Sequence, residues 1–275
     1  MKKFKVALQL YSIRGDMEKD MEGALRAVKA MGYDYVEFAG YCGRTAEEVR
    51  ALLDTIGLAC ISVHQGYDVF LANGEKEVDF LKTIGAEYCA VPWMGDGHKG
   101  SGTFEKTLDD FTKVSGMLKK AGIQLLYHNH DFEFETVDGK YKLDWLYESL
   151  PADVLQTEID TCWVRYAGVD PCAYLRKYSG RAPVVHLKDF TCSKLNAGAV
   201  YALIDNDGKA GKAEDAGNDF RFQPLGMGVQ DIPAILAAAE DAGADIVVVE
   251  QDDSPDRPPL EAARLSREYL KSLGL

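Results

Sequence analysis

The sequence predicts an α/β protein, a single (β/α)8 barrel, and three observations predict it. Eight short β-branched or apolar runs alternate with helical patterns along 275 residues, a length that suits one such barrel. Five junctions, MGYDY, IGLAC, IGAEY, AGIQL and AGADI, set a glycine between a helix end and the next strand, the residue favoured for a left-handed stop. Polar residues collect at one end of nearly every run, and the eight ends of an open doubly wound sheet would not converge.

The runs are KVALQL (5–10), YDYVEF (33–38), LACISVH (58–64), AEYCAVP (86–92), GIQLLYH (122–128), DVLQTEID (153–160), APVVHLKD (182–189) and ADIVVVEQ (244–251). Helical segments lie between them. Residues 16–31 carry Met17, Met21, Ala24, Leu25 and Val28 at helical spacing. Thr45 and Glu48 form a capping-box signal that opens 46–56, and Asp170-Pro171 puts proline at a first helical position. The stretch 191–229, rich in Gly, Asn and Asp, is too long for a plain connection. It follows the seventh run and is expected to be a lid-like excursion from one domain covering 1–275.

Composition narrows the function. A formal net charge of −13 argues against nucleic-acid or anionic-membrane partners, which carry the same sign. Six cysteines (42, 60, 89, 162, 172, 192) stand singly, a pattern of reduced thiols in a cytoplasmic protein. The start, MKKFKVALQL, passes straight into a strand-like run without a cleavage site, and no apolar stretch suits a membrane span. A homo-oligomer is left open.

The chemistry is expected where the polar ends gather. They carry Gln9, Glu37, His64, Pro92-Trp93, His128, His130, Glu133, Glu158, Asp160, His186, Lys188, Asp189, Glu250, Gln251 and Asp252. Strand alternation puts Glu158 with Asp160, His186 with Lys188, and Val248 with Glu250 on common faces. Charges facing the helices would be costly, whereas facing the mouth they need partners, and a cation satisfies several at once. Carboxylates with a histidine suit one divalent metal ion: Mn, Mg, Co or Zn. GMGVQD (226–231) lacks the third glycine and preceding strand of a dinucleotide loop and reads as a turn into a helix. Beyond Lys188 and GKAGK (208–212), no basic cluster offers itself to a phosphate.

The order of VALQLYSIR, GYDYVEFAG, HNHDFEF, DTCW with AGVDP, YSGRAPVVHLKDF, LGMGVQDIPAIL and VVVEQDDSP resembles one family over essentially the whole chain. It is the sugar phosphate isomerase/epimerase superfamily, the xylose isomerase-like TIM barrels of the AP endonuclease 2 group, which share ancestry with apurinic endonuclease IV. The resemblance implies a metal held by Glu133, Asp160, His186 and Glu250. Glu133 ends His-Asp-Phe-Glu where the family's ketose 3-epimerases have Asn-Arg-Phe-Glu. His64, His128, His130, Trp163 and Lys188 would then contact a small-molecule sugar. A histidine at 128 and a tryptophan at 163 depart from the epimerase pattern, and His-x-His-x-x-Glu also looks like segments of inosose dehydratase and of relatives acting on 3-keto-glycosides.

The expected reaction is abstraction of a proton next to a carbonyl, through an enediolate that the metal stabilises, with Glu133 and Glu250 as proton carriers. Reprotonation on the other face makes a sugar or keto-sugar isomerase/epimerase, the leading expectation. Loss of an adjacent oxygen substituent makes a lyase, the alternative. A non-catalytic sugar-binding barrel should have lost one of the two glutamates, and endonuclease IV chemistry needs more than five histidines and a basic face.

Overall fold

A computed structural model describes residues 2–196 and 219–275. The eight strands are Lys5–Gln9 (β1), Tyr35–Phe38 (β2), Ala59–His64 (β3), Tyr88–Val91 (β4), Gln124–His128 (β5), Gln156–Asp160 (β6), Val184–Leu187 (β7) and Ile246–Val249 (β8). All eight pair in parallel, each with its sequence neighbour, and β8 closes onto β1 with Ala7 opposite Val248. Each strand lies inside the run expected for it, so alternation and β-branching located all eight. The barrel expected from the sequence is the one that forms.

Local signals explain the helices. Ala46–Ile56 begins at the Thr45–Glu48 capping box, with both reciprocal hydrogen bonds made (2.9 and 3.3 Å). It stops at Gly57, whose φ of 80° a side chain would resist. The expected helix 16–31 is two helices, Arg14–Lys19 and Met21–Met31, because Asp20 leaves the helical conformation and caps the second through the Gly23 N–H (3.0 Å).

The interior of the barrel has two storeys. Ala7, Ile61, Ala90, Leu126, Val184, Ile246 and Val248 fill its lower part, while a separate apolar layer joins the outward-facing strand residues to the helices. Two residues further along, the same inward faces carry Gln9, His128, His186 and Glu250, all buried. Of the expected excursion at 191–229, residues 197–218, with GKAGK, lie outside the described residues. Its flanks are an antiparallel pair, Asp189–Thr191 with Arg221–Gln223. The buried carboxylate of Asp189 accepts from the N–H groups of Gly226, Gly228 and Gln230 (2.9–3.0 Å), which ties 224–230 to the end of β7. Among the described residues, no helix is long and apolar enough to cross a membrane.

Candidate functional site

Every strand except β4 ends with a polar group in the mouth. From β1 and β2, Gln9 Nε2 donates to Glu37 Oε1 (2.7 Å), and the same oxygen accepts from His186 Nε2 of β7 (2.8 Å). His64, ending β3, sits 2.7 Å from Glu158 Oε2 and 3.2 Å from Glu37 Oε1. His128 Nε2, from β5, lies 3.2 Å from Asp160 Oδ2 and 3.8 Å from Glu250 Oε2. His186 Nδ1 is 2.9 Å from that Glu250 oxygen. Lys188 Nζ, fully buried, touches Asp160 (3.0 Å), Glu250 (2.8 Å) and Asp252 (3.0 Å).

The electrostatics follow from burial and neighbours. Burial drives the Glu37 carboxyl up, but the imidazoles of His64 and His186 outweigh it and hold that carboxyl well below the usual range. Burial disfavours a charged His64, yet Glu37 and Glu158 overcome it and lift the ring to about 10. His186 is raised by the same two acids against the same penalty. In His128 and His130 burial wins, helped in His128 by the neighbouring imidazoles and in His130 by Lys188, and both rings are pushed well below 6.5. Burial also opposes the Lys188 charge, and Asp160, Asp252 and Glu250 raise it well above its ordinary value. Asp252 is raised by burial, while Lys188 and His186 carry Glu250 the other way.

Five carboxylates, of Glu37, Glu158, Asp160, Glu250 and Asp252, thus share one mouth with a single lysine. Glu37 Oε2, Glu158 Oε1 and His128 Nδ1 are buried without a hydrogen-bond partner among the described residues. This donor set fits a divalent cation. The ligand atoms of His128, Asp160, His186 and Glu250 lie within 4.8 Å of one another, and those of His64, His128, Glu158 and His186 form an overlapping group.

The expected quartet differs from this in one member. Asp160, His186 and Glu250 come together, but Glu133 is held elsewhere and His128 stands in the fourth place. The physical reason is alternation. His128 faces the mouth, Tyr127 faces the helical layer, and the chain then leaves the barrel in a one-turn helix, Phe132–Phe134. Glu133 accepts from Tyr127 Oη (2.6 Å) and from the His130 N–H (2.8 Å), so its carboxylate belongs to the outer side of β5. Burial raises it to about 8 against those two hydrogen bonds. Of the expected substrate contacts, His64 and Lys188 lie within the mouth, and His130 lies beside His128 with ring centroids 5.0 Å apart. Trp163, fully buried, has Lys188 Nζ 5.3 Å from its ring and His130 at 5.8 Å. Glu37, Glu158 and Asp252 are legible in the sequence as strand-end acids, without a signal of what each does. Asn129, which bridges to the Asp160 backbone through both ends of its amide (3.0 and 3.3 Å), carried no signal.

A sequence profile described as xylose isomerase-like TIM barrel matches residues 25–273. The chain belongs to that family. An inosose dehydratase of Clostridium perfringens is 26% identical, the match spanning 70% of this chain and 67% of that one. A sugar phosphate isomerase/epimerase from Parabacteroides distasonis superposes with a TM-score of 0.79 at 20% identity, covering 99% of this chain and 95% of its own. The IOLI protein with a bound zinc atom superposes with a TM-score of 0.72 at 15% identity, covering 98% and 97%. The xylose isomerase-like family is one of enzymes.

Proposed function

We propose that this chain is a divalent-metal-dependent carbohydrate enzyme that removes a proton next to a carbonyl of a polyhydroxylated ketone and then expels a neighbouring oxygen substituent. The observation that carries the reading is the convergence of His128, Asp160, His186 and Glu250 from four strand ends beside the Lys188 amine. In this reading those four residues hold one metal ion, and a structural neighbour that binds a zinc atom supports a metal. When bound, a divalent cation supplies Lewis acidity that acidifies hydrogens next to a carbonyl.

The chain's own residues do the rest. Glu37 accepts from His186 Nε2, which fixes the ring's tautomer and leaves Nδ1 toward Glu250. His130, kept neutral, is the base that takes the carbon-bound proton, a role that passes to it because Glu133 lies outside the mouth. The electron pair moves onto the carbonyl oxygen, where the Lys188 ammonium offers a charged donor. The pair then returns to remake the C=O, a C=C bond forms as the adjacent C–O bond breaks, and His64, paired with Glu158, gives its proton to the departing oxygen. The curated relatives, inosose dehydratases at 24–26% identity, support elimination over return of the proton.

A second reading, isomerase/epimerase, is favoured by one feature. His64 and His130 flank His128 with ring centroids 4.8 and 5.0 Å away, so two imidazoles stand ready for two-base exchange. Incubating the metal-loaded protein in deuterated solvent with inososes, ketoses and 3-keto-glycosides separates these outcomes. Elimination yields a product that has lost the substituent, whereas epimerisation yields an isomer carrying solvent deuterium. The absence of both solvent exchange and turnover with every one of these ketones would overturn the proposal.

A further inference from the structure

Trp93, two residues past β4, is 47% exposed. A tryptophan left half in water gives up a large burial gain, and exposed aromatics at a mouth mark binding surfaces. Its indole meets Phe132 edge-on at 5.1 Å, Phe132 lies parallel to His130 at 5.6 Å, and His130 abuts His128. A continuous row of rings therefore leads from the reaction centre to Trp93. The tryptophan borders an open cleft of about 470 Å³, lined also by Tyr67, Asp68, Asp96, Thr103 and Lys106, a size within the ~300–1,000 Å³ of small-molecule sites.

The lining selects its occupant. Asp68 and Asp96 are exposed carboxylates that outnumber Lys106 in the lining, and Lys106 also pairs with Asp110, so the charge of the cleft disfavours a phosphate or carboxylate. An aromatic face beside hydroxyl acceptors suits a neutral, polyhydroxylated ring, which stacks its C–H face and donates its hydroxyls. The cleft is also preformed. Thr103 Oγ1 donates to the Asp96 carbonyl (2.8 Å), and a Cβ on Gly97 would stand 2.4 Å from Thr107 Oγ1, so this turn lies tight against the helix Phe104–Lys120.

We propose that the cleft beside Trp93 is a subsite for a second sugar ring, linked to the ring that reacts in the mouth. It rests on the carbohydrate reading above and narrows the substrate class to glycosides or disaccharides. Two ring contacts, of 5.1 and 5.6 Å, separate Trp93 from His130, an offset that suits a second ring linked to the one that reacts.

The test is calorimetric titration of the metal-loaded protein with hexoses and with a panel of their disaccharides in differing linkages. At least one disaccharide should bind on the order of tenfold more tightly than its monosaccharide, about 1.4 kcal/mol, and Trp93→Ala should erase that difference. Thermal unfolding checks that this exposed substitution leaves the fold intact. Equal binding of disaccharides and monosaccharides, or a gain that survives Trp93→Ala, overturns the subsite alone. Failure to bind any sugar overturns the carbohydrate reading and the subsite with it.

Discussion

The lower and upper storeys of the barrel are built by the same strands two residues apart, and they are held by opposite means. Below, Leu126, Val184 and Val248 fill space without a polar atom. Above, His128, His186 and Glu250 follow on the same inward faces, and each is held by a partner from another strand. The lower storey is sustained by shape and exclusion of water. The upper one costs desolvation, and its charges persist only because they are mutually paired. Stability and chemistry are thus stacked along one axis, so substitutions in the two storeys should separate them.

The sharpest separation is expected from Asp160→Ala. It removes one proposed ligand and leaves Lys188 with two acidic partners. We expect turnover to fall on the order of 10²–10⁴-fold or more, with bound metal lost by elemental analysis and the folded spectrum retained. A variant that kept full metal and turnover would show that the mouth does not work through this residue.

Leu126→Ala is the converse. Truncating a fully buried leucine should cost about 2–5 kcal/mol in denaturant unfolding, while metal content per folded chain stays at the wild-type value. If the metal were lost while stability held, the two storeys would not be independent.

The smallest effect on activity is expected from Glu133→Gln, which compares the two sides of β5. Glu133 holds its proton more tightly when folded, with a value near 8 against 4.5 for an unperturbed group. Its contribution is therefore full below about pH 4.5 and declines as pH rises toward about 8. Glutamine stays neutral; its Oε1 can accept from the His130 N–H while its Nε2 donates to Tyr127 Oη, a hydroxyl that can turn to accept. Glu133→Gln should flatten that decline and unfold at a higher temperature than wild type at pH 8–9, with turnover changed by less than about tenfold. A loss as large as that of Asp160→Ala would return Glu133 to the mouth's chemistry.

The amino-acid sequence by itself determined the strands, the closure and the ring of polar ends, because period-two alternation, capping boxes and glycine stops act over a few residues. It placed Asp160, His186 and Glu250 in one mouth for the same reason. Only the tertiary structure decided between His128 and Glu133. The choice depends on where a one-turn helix leaves the barrel and on a hydrogen bond to Tyr127, neither of which has a periodic signature. Glu37 meets His186 across 149 residues of chain, a contact made only when the barrel closes. The cleft at Trp93 likewise depends on how the segments after two adjacent strands, around Tyr67 and around Asp96, pack side by side, and periodicity does not specify the shape left between them.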